Sequence, residues 1–205
     1  MRHLGIPFII SAPSGAGKTS IIETLCAATS SVAVSISHTT RPMRPGEVDG
    51  INYHFISTEA FQQYIKKNMF LEYAKVFGHY YGTSLAWIKQ QLSAGIDVLL
   101  DIDWQGAQQI KKKLPQSVSI FILPPSLEAL RQRLTQRAQD NENIIEKRMA
   151  EAKSELSHYR EFDFLVVNQE FTTAVADCQA IIRSRHLQTE HQQQELKNLL
   201  DKLLA

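Results

Sequence analysis

The chain has 205 residues, 43% of them hydrophobic, enough for one sizeable core with small inserts and too many for disorder to dominate. Its 22 basic and 21 acidic residues leave a net charge of +1, which excludes a global field that would hold DNA or an anionic membrane; any anion binding must be local. The two cysteines, Cys26 and Cys178, form no C-x-x-C pair and sit in helical patterns, so reduced, buried thiols are expected rather than a zinc site or a disulfide framework. No apolar stretch approaches the roughly 20 residues that a bilayer span needs, and the N-terminal apolar run has no cleavage site behind it, so a soluble, cytoplasmic protein is expected.

Residues 8–10 form a short apolar run suited to a buried strand, and Ile21, Ile22, Leu25 and Cys26 recur at helical spacing. Between them lies Ser11-Ala12-Pro13-Ser14-Gly15-Ala16-Gly17-Lys18-Thr19-Ser20. A glycine loop that joins a strand to a helix N-terminus is a phosphate site: Gly15 and Gly17 let successive N–H groups point inward, and the helix dipole adds positive charge. Lys18 can reach the β- and γ-phosphates of a nucleotide, and the Thr19 hydroxyl can ligate Mg²⁺. The strict pattern G-x-x-x-x-G-K-[ST] fails by one methyl group at Ala12, which fits only if φ there is negative.

Residues 32–37 alternate apolar and small polar side chains and predict a second strand. Residues 38–47 carry two prolines, a glycine and the pair Arg41 and Arg44, which predicts a loop. Two guanidinium groups beside hydroxyls suit a phosphate, although a solvated basic turn has the same composition. Residues 53–56 then predict a strand, 59–67 a helix and 70–76 another strand with Glu72 inside it, and a turn leads to Tyr80-Tyr81-Gly82-Thr83. This small β-rich insert gathers Tyr53, Glu72, Tyr81 and Thr83 on neighbouring strands. A buried carboxylate needs a donor partner. The N1–H and N2–H₂ edge of guanine is one that Glu72 could accept bidentately, with the Thr83 hydroxyl donating to O6; a lysine or arginine is the other.

A helix from Leu85 to about Gly95 is followed by an apolar strand, 96–101, that ends in Asp101. Ligands collect at the carboxyl ends of strands in nucleotide-binding sheets, so Asp101 should face the glycine loop and orient Mg²⁺, directly or through water. Asp103 could hold an arginine or the second substrate, or simply cap the helix that Trp104 begins. A strand at 117–123, a helix at 127–136 and a helix at 144–159 bring Arg131, Arg133, Arg137 and Arg148 around the polar loop 138–143. Taken as a set, these arginines suggest a lid over transferring phosphates. Strand 164–168 and helix 171–186 complete the core, and the leucines of residues 187–205 predict one added amphipathic helix on the core or on a second subunit.

Taken in order, residues 11–18, the run Ser37-His38-Thr39-Thr40-Arg41-x-x-Arg44-x-Gly46-Glu47-x-x-Gly50-x-x-Tyr53, Glu72, residues 80–83, Asp101-Ile102-Asp103-x-Gln105-Gly106 and the segment 133–148 closely resemble guanylate kinase. The resemblance spans about residues 5–187. It implies an α/β fold, a P-loop three-layer α/β/α parallel-sheet core (1–36, 85–136 and 148–187) with a mixed β/α GMP-binding insert (37–84), a helical lid (137–147) and a C-terminal extension (188–205). The implied reaction is Mg²⁺-dependent transfer from ATP to GMP, with dGMP as a further acceptor, in purine nucleotide metabolism. By position, residues 12–20, Arg133, Arg137 and Asn168 would bind ATP. Ser37, Arg41, Arg44, Tyr53 and Tyr81 would hold the GMP phosphate, with Glu72, Thr83, Asp101 and Asp103 completing the GMP site. Lys18, Arg41, Arg133, Arg137 and Arg148 would be catalytic, and Thr19 with Asp101 would hold Mg²⁺. Ala138 departs from the family, which has glycine after the lid arginine. A ribose-bisphosphate kinase of the same superfamily and a non-catalytic phosphopartner-binding module are the alternative readings.

Overall fold

The structure, a computed structural model, describes residues 4–29, 31–76, 78–137 and 142–205, with the side chains of 137, 143 and 194 left aside. In chain order the first elements are β1 (Pro7–Ser11), α1 (Lys18–Ala28), β2 (Val32–Val34), β3 (His38–Thr39), β4 (His54–Phe55) and α2 (Thr58–Lys66). Next come β5 (Phe70–Val76), β6 (His79–Ser84), α3 (Leu85–Ser93), β7 (Asp97–Asp101), α4 (Trp104–Lys113) and β8 (Val118–Leu123). The chain closes with α5 (Leu127–Arg137), α6 (Glu142–Leu156), a 3-10 turn (Tyr159–Glu161), β9 (Phe164–Val167), α7 (Phe171–His186), α8 (Thr189–Glu195) and α9 (Lys197–Leu204).

β1 is buried at every position, as a strand with neighbours on both edges and helices on both faces must be. It pairs in parallel with β7, Ile10 opposite Asp101, and with β8; the full order is β2-β7-β1-β8-β9. Alternation along β1 divides the core. Phe8 and Ile10 pack with Ile21 and Leu25 of α1 and with Ala174 and Cys178 of α7. Ile9 points the other way, to Ile88 of α3 and Ile110 of α4. The result is the expected α/β/α three-layer arrangement.

The second sheet, β4-β3-β6-β5, is mixed and lies within residues 38–84. β5 and β6 pair antiparallel with Glu72 opposite Thr83, next to a register shift between Phe70 and Glu72. Phe61 of α2, fully buried, stacks on Phe70 at 4.4 Å and on Tyr80 at 5.3 Å, which fixes the sheet's outer face.

Two expectations need correction. The strand expected over 32–37 ends at Val34, residues 32–34 pairing with β7 while 35–37 cross between the sheets, and His38–Thr39, expected as loop, pair with β4 and β6. The tail is two helices rather than one. The leucines at 196, 199, 200, 203 and 204 belong to α9 and its cap, and α8 has no apolar residue to continue their stripe.

Candidate functional site

β1 delivers the chain to the glycine loop, where Gly15 and Gly17 take φ of 91° and 94°, values that favour residues without a Cβ. Gly17 also has no room for one, since a Cβ would lie 2.4 Å from Asn168 Nδ2. Among the described residues Asn68 is the one non-glycine with positive φ, so Ala12 takes the loop's first position without strain and packs on the core. The Pro13 carbonyl accepts from Ala16 N–H at 3.1 Å. Asn168, at the end of β9, donates through Nδ2 to the Ala16 carbonyl at 2.8 Å; Arg133 donates to the Asn168 carbonyl at 3.0 Å and to that of Ala16 at 3.4 Å. Ser20, Gly15, Gly17, Arg133 and Asn168 line one surface cleft on this side.

Lys18 leaves the loop and meets Asp101, the last residue of β7, with Nζ 2.5 Å from the carboxylate and 3.4 Å from the Ile102 carbonyl that accepts from it. Burial alone would lower the Lys18 pKa; the Asp101 carboxylate outweighs it and raises it, so the ammonium stays charged. Thr19 is the second residue of α1 and is exposed. Among the described residues no group of three or more His, Cys, Asp or Glu is arranged to hold a metal. Oxygen donors such as the Thr19 hydroxyl and the Asp101 carboxylate suit Mg²⁺, which commonly takes one or two protein carboxylates and completes its shell with water and substrate phosphates.

A cleft of about 160 Å³ lies between the two sheets, lined by Lys18, Ser37, Tyr53, Glu72, Tyr81, Asp101 and Asp103. Glu72 is 4% exposed and Thr83 1%; the Thr83 hydroxyl donates to Glu72 Oε1 at 2.5 Å. Burial pushes the Glu72 carboxyl up to about 7, opposed by the Thr83 hydroxyl and assisted by the charge of Asp103. Gly106 of α4 makes room for that carboxylate, since a Cβ there would lie 2.8 Å from Glu72 Oε2. Asp103 caps α4 through Oδ1, which accepts from Gly106 N–H at 2.8 Å. Tyr53 and Tyr81 face each other edge to face at 5.9 Å, and burial, with Asp101, raises the Tyr53 pKa.

Arg41 sits with its guanidinium 5.3 Å from the Tyr53 ring and 5.7 Å from that of Phe55. It is bidentate to Glu47, at 2.6 and 3.0 Å, and Glu47 also accepts the Arg44 N–H at 2.7 Å. The exposed loop therefore carries its own counter-ion. Arg148 of α6 donates to Ser14 Oγ at 3.0 Å. The Arg137 side chain and Ala138 lie outside the described residues, so the lid arginine and the missing lid glycine have no structural counterpart.

The structure thus brings Ser37, Tyr53, Glu72, Tyr81, Asp101 and Asp103 to one cleft, with Thr83 bonded behind Glu72 and Arg41 beside Tyr53, leaves Arg44 exposed outside its lining, and sets Arg133, Arg148 and Asn168 against the glycine loop. It adds two carboxylates that sequence reasoning left out of the site. Glu47 was quoted among the motif residues of the resemblance but given no role. Glu155 of α6 accepts the Ser14 N–H at 3.2 Å, and its only signal was a spacing of seven from Arg148, two turns along one helix face.

A family model described as guanylate kinase matches residues 5–185. The guanylate kinase of Vibrio parahaemolyticus is 55% identical over 203 residues, covering 98% of both chains, and that of Saccharophagus degradans is 52% identical over 205 residues, covering 100% of both. The crystal structure of guanylate kinase from Anaplasma phagocytophilum matches with a TM-score of 0.77 at 30% identity, covering 92% of this chain and 89% of that one.

Proposed function

The chain belongs to the guanylate kinase family, and we propose that its cleft between the two sheets binds GMP while residues 12–20 with Arg133, Arg137 and Asn168 bind ATP. The protein is an ATP:GMP phosphotransferase. The observation that carries the site assignment is that one cleft is lined both by the buried Glu72, bonded to Thr83, and by Lys18 with Asp101.

Glu72 as a carboxylate accepts the N1–H and N2–H₂ donors of guanine, while Thr83 and Asp103 border the base; adenine offers the wrong polarity. Ser37, Arg41, Arg44, Tyr53 and Tyr81 hold the phosphate, with Arg41 exchanging Glu47 for the ligand. Thr19 and Asp101 would hold Mg²⁺, which when bound neutralises charge on the β- and γ-phosphates. The GMP phosphate oxygen attacks the γ-phosphorus in line as the bond to the β-phosphate oxygen breaks, leaving ADP and GDP. The acceptor is already an anion, so no strong base is required. Lys18, Arg41, Arg133, Arg137 and Arg148 supply positive charge around the transferring group, and closure of the lid, residues 137–147, keeps out water that would otherwise accept it.

The same reading takes dGMP as a second acceptor, because none of these side chains is assigned to the ribose 2′-hydroxyl. No helix among the described residues is long and apolar enough to cross a membrane, and Cys26 and Cys178 are free thiols, which supports a reducing cytoplasmic setting and a role in purine nucleotide metabolism. The leucine face of α9, with Leu199 and Leu203 exposed, supports a homo-oligomer through the tail; a solution mass unchanged on deleting residues 188–205 would contradict it.

The test is ADP release from Mg-ATP with GMP, dGMP, AMP, CMP, UMP, dTMP and ribose 1,5-bisphosphate supplied separately. Release with the two guanine nucleotides alone is expected. Release with ribose bisphosphate instead would overturn the base-reading role of Glu72.

A further inference from the structure

Helix α6 grips the glycine loop at one residue, Ser14, with two side chains of opposite charge. Arg148 Nη2 donates to the Ser14 hydroxyl at 3.0 Å, and the Ser14 N–H donates to Glu155 Oε2 at 3.2 Å. Arg148, Ala152 and Glu155 are four and three residues apart and share one helix face, with Ala152 buried between them. The loop they grip is the one whose N–H groups are built to receive an anion. Glu155 therefore brings a negative group to a place that attracts negative ligands. The Glu155 charge helps to raise the Lys18 pKa, and Lys18 in turn favours the Glu155 carboxylate, so the two are within electrostatic reach; burial nevertheless raises the Glu155 pKa.

Past Glu155 the helix is pinned. The His158 ring stacks on Trp104 of α4 at 3.6 Å and 8°, and Glu161 lies 2.6 Å from His158 Nδ1 and accepts from Gln108 at 2.8 Å. At its other end α6 is tied to α5 by Arg131, which pairs with Glu142 and with Glu146. Helices α5 and α6 thus form a unit that meets α4 past Glu155 and holds the loop at Ser14 through α6 and at Ala16 through Arg133 of α5.

We propose that Glu155 is a displaceable stand-in for the γ-phosphate of ATP: it holds the loop to α6, is expelled by like charge when the nucleotide arrives, and so frees α6 to carry Arg148 from Ser14 to the transferring group. This rests on the assignment of residues 12–20 as the ATP site. Glu155 is a positioning residue; it touches neither substrate in the loaded state.

The test is calorimetric binding of ATP, ADP and GMP to the native protein and to Glu155→Gln, Glu155→Ala and Lys18→Ala. Glutamine keeps the acceptor and removes the charge, so Glu155→Gln should bind ATP roughly fivefold tighter, about 1 kcal/mol, with ADP and GMP changed far less. Glu155→Ala should show the same ATP-selective gain. ATP binding no tighter in either variant, or an equal gain for ADP, would overturn the inference. Lys18→Ala separates the two levels: if it binds ATP as the native protein does, the ATP-site assignment fails as well, and if it loses ATP while Glu155→Gln gains nothing, the stand-in role alone fails.

Discussion

The proposed base end and phosphate end of this site are built on different physical terms. Glu72 and Thr83 face each other on adjacent strands of one sheet, buried and bonded to each other. The cationic groups come from separate elements, and four of them are held on protein partners: Lys18 on Asp101, Arg41 on Glu47, Arg133 on the backbone of residues 16 and 168, Arg148 on Ser14. On the proposed assignment, selectivity for the base would be fixed by the fold itself. On the same proposed assignment, charge reaches the transferring group by exchange of these partners.

That contrast can be broken at either end. The largest effect is expected from Lys18→Ala, which removes the ammonium proposed to reach the transferring group: a loss on the order of 10³ or more in kcat/KM, read in a coupled ADP assay. Arg148→Ala should lower kcat by roughly 10²–10³ while moving the GMP Kd little, because its charge is engaged late. Near-normal turnover in that variant would remove α6 from the phosphate end.

The base end should carry a stability penalty that the phosphate end lacks. The Glu72 carboxyl is raised from 4.5 to about 7 in the folded protein, so the folded state holds a proton that the unfolded chain has lost. The stabilisation tied to that proton is full below pH 4.5 and is lost as pH rises through about 7. Glu72→Gln should therefore stabilise the fold at pH 8 by on the order of 2 kcal/mol, read as a higher Tm, and the advantage should shrink toward pH 5. A Tm difference independent of pH would contradict the burial account. For the same reason native GMP affinity should fall as pH drops through about 7, since the carboxylate is the form that accepts the guanine donors. Thr83→Val is the mildest case: it removes one hydroxyl from a charged partner, and GMP should bind roughly tenfold more weakly with ATP unchanged.

Much of this was legible in the sequence because local chemistry fixed it. Gly15 and Gly17 were read as loop glycines and do take positive φ, and the apolar runs around Ile9, Leu99 and Ile120 became adjacent strands. Asp103 has the cap role that was one of its readings. What was hidden depends on distant partners. A two-residue strand such as β3 has no period of its own and exists only because β4 and β6 flank it. Glu155 on a polar helix face looks like any solvated glutamate until Ser14, 141 residues away, is brought against it.

The central claim is that Glu72 reads guanine and leaves ATP alone. Calorimetric titration of native protein and Glu72→Gln with GMP and with ATP tests it directly. GMP affinity should fall by roughly 10- to 100-fold, the worth of a hydrogen-bonded charge, while the ATP Kd stays within about twofold of native. Equal losses for both nucleotides, or no loss for GMP, would contradict the assignment.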